Sequence, residues 1–244
     1  MSASQLKNLA RSPAYFKYKQ ENPTEETDAM ALGSAVHCAI LEPKKFLTDY
    51  IKAPICDKRT KEGKEIYAKF LDESEGKKVL SDSDYTQAID ISNSVLSSPK
   101  IKSMIENGEC EKEILFNIDG VDFKSKLDFL NDKFILDIKT TRDARAESFS
   151  RDCYNMLYHV QMWIYQEAAF ALTGKRLPVV ILAIEKTDNY DYCVYNIDST
   201  WLELGERKAR KLIQLYKDCV EKDEWLGYKK EVQVLEIPNW AKAE

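Results

Sequence analysis

The 244-residue sequence has no long apolar run, few histidines and no clustered cysteines. Nowhere do ~18 apolar residues follow one another, so no transmembrane helix is expected. The opening stretch, MSASQLKNLARSPAYFKYKQ, lacks the apolar segment of a secretory signal. These absences predict a soluble, intracellular protein. His37 and His159 are the 2 histidines, which rules out a histidine-rich metal site. The 6 cysteines, at 38, 56, 110, 153, 193 and 219, form no Cys-x-x-Cys pair. They read as scattered reduced thiols, and a structural zinc site is not expected. There is no phosphate-binding glycine loop, so the chain does not unwind DNA with ATP by itself. No internal repeat is visible. Positive charge is not in excess: 36 Lys+Arg stand against 41 Asp+Glu, a net charge of -5. That balance argues against coating nucleic acid through bulk charge. It leaves room for an enzyme whose DNA contacts are confined to a cleft or channel, and it suits a site built from carboxylates.

Hydrophobic residues make up 44% and charged residues 32%, an ordinary globular composition. The length suits a single domain spanning 1–244. Residues 1–20 read as helical with an interruption at Pro13, and 20–28 as a polar loop. Residues 28–41 read as a buried helix ending before Pro43. Residues 52–84 are charged and irregular, a candidate mobile insertion with one helical stretch at 62–71. A helix follows at 84–96, then a short one from Pro99. Residues 111–118, 121–130 and 134–140 alternate apolar and polar residues around turns at Asp119-Gly120 and Asn131-Asp132. They predict a three-stranded antiparallel meander. A long helix is expected over 146–172 with Gly174 as its cap. Strands are expected at 178–185 and 192–197, then a helix from a Thr200/Glu203 capping box to about Lys222. A short strand near 232–236 and an aromatic tail at Trp240 close the chain. This order predicts an α/β fold with a central mixed sheet flanked by helices.

Three residues of the meander carry chemistry. Asp137 and Lys139 are two apart on the third strand and share a face. The hairpin brings Asp128 beside that face. Converging carboxylates repel one another unless a cation or proton lies between them. Oxygen ligands without thiolate suit Mg²⁺ or Mn²⁺. Lys139 is placed to polarise a nucleophilic water or to steady negative charge on a phosphate. Together these are the minimum for metal-assisted phosphodiester hydrolysis. Asp-x-Lys on a strand is more often a solvated edge with a cross-strand ion pair. Here Ile135, Leu136 and Ile138 flank the pair and predict a buried strand, and Glu113 on the first strand reaches the same cluster. His37, alone on an apolar helix, would by default be a core histidine. His159, Trp163 and Phe170 read as packing. Lys58, Arg59 and Lys61 read as a solvated loop or as phosphate contacts. The basic residues at 207–211 read as a solvated helix face.

The sequence Asp128…Asp137-Ile138-Lys139 resembles the PD-(D/E)xK nuclease motif. Gly33-Ser-Ala-Val-His37 resembles the GxxxH helix of its RecB-type branch, and Gln161-Met-Trp-Ile-Tyr165 resembles the QxxxY helix. With SASQL, SPAYF, GSAVHCAILEP, DIKTT, YHVQMWIYQEA and IPNWA, the chain resembles the RecE (exonuclease VIII) group of phage and prophage recombination exonucleases. The likeness runs from Ser2 to about Ala241, with the motifs in family order. It implies a restriction-endonuclease-like core. It implies that Asp128, Asp137, His37 and the Ile138 carbonyl bind metal, that Lys139 is the catalytic lysine, and that Gln161 and Tyr165 support the lysine and the scissile strand. It assigns Glu113 to a second metal. Ser12 precedes Pro13 where iron–sulfur members carry cysteine, so no such cluster is expected. Lys126-Leu127-Asp128 replaces an Arg-Pro-Asp, which shifts the local basic contact to Lys126 or Lys124.

The implied activity is Mg²⁺-dependent digestion of linear duplex DNA from an end, 5′-to-3′, leaving a 3′ single strand. Implied partners are double-stranded DNA ends, further copies in a homo-oligomeric ring, and a RecT-like single-strand annealing protein, in the cytoplasm of a bacterial or phage-infected cell. The alternatives are a structure-specific or end-processing endonuclease of the same superfamily, and a catalytically silent DNA-binding or assembly module.

Overall fold

The computed structural model describes residues 1–187 and 189–237. Ten helices and seven strands are formed among them. Five strands make the central sheet, in the order β3 (Glu109–Ile118), β4 (Val121–Leu130), β5 (Ile135–Thr141), β6 (Val179–Glu185) and β7 (Tyr192–Ile197). β3, β4 and β5 are the expected antiparallel meander. β5 and β6 run parallel, and β6 and β7 antiparallel, so the sheet is mixed. The parallel step requires a crossover, supplied by α8 (Ala146–Asn155) and α9 (Tyr158–Thr173).

Helices cover both faces. α3 (Asp28–Leu41) and α6 (Asp82–Leu96) bury Val36, Ile40, Ile91 and Val95 against Leu136, Ile138, Leu182 and Ile184. On the other face α9 packs Met162 and Ala168 against Ile135, Ile181 and Ala183. α1 (Ala3–Arg11) and α10 (Ser199–Lys222) extend that layer, packing Leu6, Leu9 and Ile213 with Trp163 of α9. Odd and even residues of β5 thus serve different cores, as strand geometry requires. Gly205 lets α10 approach α9: a Cβ there would lie 2.1 Å from the His159 carbonyl oxygen.

Several expectations are corrected. The helix predicted over 146–172 is two helices, separated at Met156–Leu157, where Leu157 takes the left-handed conformation at φ 54°. Apolar periodicity runs through the break because both helices bury toward one core, so the pattern hid the turn. Ser12 caps α2 (Pro13–Glu21) and Pro13 opens it, which divides the N-terminal helix as the proline implied. The segment 52–84 is more regular than expected. β1 (Tyr50–Lys52) and β2 (Lys78–Leu80) pair in parallel around α5 (Lys61–Glu73), and α4 (Pro43–Asp49) precedes them. The cap of α10 is Asp198, whose side chain accepts from the Trp201 N–H at 2.9 Å, and not a Thr200/Glu203 box. Residues 232–236 form no strand. Trp240, with most of the IPNWA motif, lies outside the described residues. No described helix is long and apolar enough to cross a membrane.

Candidate active site

The site lies where β4 parts from β5. Only two residue pairs join these strands, Phe129 with Leu136 and Leu130 with Ile135. In that register the next pair would be Asp128 with Asp137, and there the ladder stops. The Ile138 N–H, left without a strand partner on that side, donates to Asp128 Oδ2 at 2.8 Å. The two strands thus open into a fork with a carboxylate on each prong.

Asp137 is fully buried, and Lys139 folds back onto it. Lys139 Nζ lies 2.8 Å from Asp137 Oδ1 and 2.7 Å from Oδ2. The Oδ2 contact is a charge contact only: that atom is buried and takes no directed hydrogen bond. Burial and the neighbouring Asp128 charge hold the Asp137 carboxyl above its ordinary range, against the pull of Lys139. Burial alone would lower Lys139. The Asp137 and Asp128 charges more than reverse this, so its ammonium stays protonated beyond the ordinary lysine range.

His37 reaches the fork from α3, with Nδ1 3.3 Å from Asp128 Oδ2. Burial opposes its protonation, and the Asp128 charge and hydrogen bond outweigh that and raise its pKa. Burial likewise raises Asp128, but His37, Lys139 and the Ile138 N–H draw it below the usual carboxylate range. Gln161 and Tyr165 come from α9 on the opposite face. Gln161 Nε2 donates to the Tyr165 hydroxyl at 2.7 Å and, more loosely, to Asp137 Oδ1 at 3.5 Å.

The fork therefore gathers His37, Asp128, Asp137, Ile138, Lys139, Gln161 and Tyr165. It does not gather Glu113, which is half-exposed and pairs with Lys124 at 2.9 Å. Glu111 stands in its place. The β3–β4 ladder skips one rung between the Cys110–Phe129 and Lys112–Leu127 pairs, at Glu111 and Asp128, and ligand atoms of His37, Glu111 and Asp128 lie within 4.8 Å of one another. The Glu111 backbone is left-handed at φ 53°, a strained conformation for glutamate. Lys126 pairs with Glu111. Lys7 on α1 is a further basic residue here: its Nζ donates to Gln161 Oε1 at 3.1 Å. The Tyr158 ring lies beneath both lysines, its centroid 4.9 Å from Lys7 Nζ and 5.1 Å from Lys139 Nζ. His159 packs away from the fork, with Nδ1 3.3 Å from the Cys153 carbonyl oxygen.

Residues 2–236 match the model of a family described as a PDDEXK-like domain of unknown function, DUF3799. The chain belongs to this PDDEXK-like family. Its fork holds the Asp…Asp-x-Lys set for which PD-(D/E)xK nucleases are named. Among solved structures, a protein described as a "putative exonuclease" from Eubacterium rectale matches with a TM-score of 0.66 at 16% identity. The match covers 98% of this chain and 90% of that one, and it shows a shared fold. The crystal structure of SSO0001 matches with a TM-score of 0.34 at 16% identity, over 88% of this chain and 75% of that one, too loosely to compare folds. No curated protein matches the sequence.

The donor set of this PDDEXK-like chain fits a divalent cation. Ligand atoms of His37, Glu111 and Asp128 converge, and beside them a buried Asp137 oxygen lacks a directed partner. Lys139 and Lys126 each pair with one carboxylate, Asp137 and Glu111, and neither pairs with Asp128.

Proposed function

We propose that the chain is a divalent-metal-dependent deoxyribonuclease that hydrolyses phosphodiesters of linear double-stranded DNA from an end. The observation that carries this reading is the buried Asp128–Asp137 pair at the β4–β5 fork with Lys139 held against it. A carboxylate pair withdrawn from water is costly, and a bound cation offsets that cost and in turn attracts an anionic substrate. Asp128, Asp137, His37 and the Ile138 carbonyl would hold Mg²⁺ or Mn²⁺, with Glu111 in reach. When bound, the metal polarises a phosphoryl oxygen and acidifies water.

The chain's own residues supply the rest. Lys139, drawn toward its protonated form by the Asp137 and Asp128 charges, is placed to donate to developing negative charge on the phosphate. Gln161 links Asp137 to Tyr165 and fixes the lysine's surroundings. Apolar packing of Leu136 and Ile138 keeps the strand rigid beneath the reacting atoms.

The resemblance to RecE-type exonucleases supports the finer terms: 5′-to-3′ digestion, a homo-oligomeric ring around DNA, and a RecT-like annealing protein as partner. A net charge of -5 supports a ring in which basic surface lines only the channel. The test is digestion of 5′-labelled linear duplex beside a covalently closed circle in Mg²⁺. The reading expects the linear DNA to shorten from its end while the circle survives. Nicking of the circle at a similar rate would favour an endonuclease.

A further inference from the structure

β7 closes one edge of the central sheet. It pairs with β6 on one side and with no strand on the other among the described residues. Its residues, Tyr192–Ile197, include no charge and no proline. The opposite edge strand, β3, carries Glu109, Glu111, Lys112 and Glu113, which discourage pairing with a further strand. β7 has no such guard. Beside it lies a largely apolar cavity of about 190 Å³, walled by Phe149 and Cys153 of α8, Tyr195 and Ile197 of β7 and Trp201 of α10. The Phe149 ring stacks on Tyr195 at 5.6 Å, and the Tyr195 hydroxyl donates to the Ala144 carbonyl oxygen, so these walls are fixed. A fixed apolar cavity next to an open strand edge suits an added strand, with backbone bonds along the edge and a side chain in the cavity.

The chain carries a segment of the complementary kind. Val232, Val234, Leu235 and Ile237 fall within six residues, and their side chains favour a strand. No strand forms there in the single chain, and Val234 and Leu235 are 89% and 97% exposed. The tail is anchored only before this segment: Trp225 stacks on Phe16 at 5.5 Å, and the Leu226 carbonyl oxygen accepts from the Ala14 N–H at 3.1 Å. Residues 229–237 are exposed throughout. The cavity sits at the first turn of α10, and the tail leaves from the other end of that 24-residue helix, about 36 Å along its axis. Charge also matches. Arg145 and Arg151, beside the cavity, are already paired with Asp143 and Glu147. Asp152 and Asp198, chain neighbours of the lining residues Cys153 and Ile197, pair with no lysine or arginine among the described residues, which leaves the rim negative. The tail opens with Lys229 and Lys230.

We infer that residues 231–237 of one copy of the chain add as a strand to the β7 edge of a second copy, seating an aliphatic side chain in the cavity between Phe149, Tyr195 and Trp201. Lys229 and Lys230 then lie toward the acidic rim. Donor and acceptor occupy different parts of the surface, so the contact is head-to-tail and closes into a ring or runs on as a filament. The inference rests on the proposed homo-oligomer, whose contact it names, and not on the nuclease chemistry.

The test is sedimentation velocity of the full chain over a range of concentrations, without DNA. Leu235→Asp places a charge in the donor segment, and Val194→Lys gives β7 the charge it lacks. Leu235 lies outside every helix and strand, so its variant should keep the parental Tm. Should Val194→Lys unfold, Asn196→Lys, at an exposed position of the same strand, takes its place. The parent is expected to associate, and each variant to associate at least ~30-fold more weakly. An equimolar mixture of the donor and acceptor variants restores one contact, the intact edge of Leu235→Asp with the intact tail of Val194→Lys. The mixture should therefore form a dimer that neither variant forms alone. Association at parental strength in either variant, or a mixture that stays monomeric, overturns the contact. An oligomeric parent whose variants remain oligomeric removes this contact alone and keeps the homo-oligomer. A monomeric parent removes both.

Discussion

Asp128 and Asp137 are the residues that would pair next in the β4–β5 register, and there the ladder stops. The strands part where their carboxylates would otherwise meet, and Asp128 takes the Ile138 N–H that the missing ladder leaves free. On its other side Asp128 meets a second gap, the rung at Glu111 that the β3–β4 ladder skips. Three acidic residues thus stand where the two ladders lapse, with Lys126 against Glu111 and Lys139 against Asp137.

Glu111 is therefore expected to matter where Glu113 does not. Glu111→Gln is expected to weaken Mn²⁺ binding about tenfold by calorimetry, and Glu113→Gln to leave it unchanged. Glu111→Gly should also relieve the left-handed backbone and raise stability by about 1 kcal/mol. Equal effects of the Glu111 and Glu113 substitutions on metal affinity would refute this placement.

Lys139→Ala leaves the buried Asp137 without its counter-charge. A stability loss of about 3 kcal/mol is expected in metal-free protein, read from denaturant midpoints. Cleavage should fall at least ~10²-fold. Mn²⁺ should raise the Tm of the variant more than that of the parent, because a cation then replaces the lost ammonium. A smaller Tm gain in the variant would argue against metal at the carboxylates.

Lys7 gives a pH signature. Its folded pKa of about 8 lies below the unfolded value of 10.5, so between these values the unfolded chain binds more protons. Stability attributable to this group therefore rises with pH across that window and is lowest below pH ~8. Lys7→Met is expected to be more stable than the parent near neutrality, by at most about 3 kcal/mol. Its advantage should vanish by about pH 10.5. A constant difference from pH 7 to 10.5 would contradict the burial of a charged Lys7.

Gly33 sits four residues before His37 on α3, and a Cβ there would lie 4.0 Å from Thr140 Oγ1, an ordinary contact. Gly33→Ala should thus gain up to about 1 kcal/mol of helix stability. Cleavage that falls in this more stable variant would show that substrate uses the space between Gly33 and Thr140. Loss of stability would show that α3 packs more tightly there.

Much of the site was legible because period-two spacing and tight turns fix strand geometry locally. Asp137 and Lys139 share a face as their spacing demands, and the Asp119-Gly120 turn sets the β3–β4 register. Counting back from that turn, Ile118 opposite Val121, brings Glu111 level with Asp128, the one rung that the ladder itself skips. The signal for Glu111 was present, and Glu113 was the less direct choice. Lys7 was not legible. It lies 154 residues from the glutamine it contacts. The break at Leu157 was hidden because apolar spacing continues across it. The small β1–β2 pairing was hidden because three-residue strands within a charged segment carry almost no pattern.

The most direct test of the account is release of acid-soluble nucleotide from linear duplex DNA in Mg²⁺, comparing the parent with Asp137→Asn and Lys139→Ala. The account predicts release by the parent, abolished by EDTA and lost in both variants while their DNA binding persists. Release by either variant at the parental rate, or none by the parent in Mg²⁺ or Mn²⁺, would contradict the assignment of the β4–β5 fork as a nuclease site.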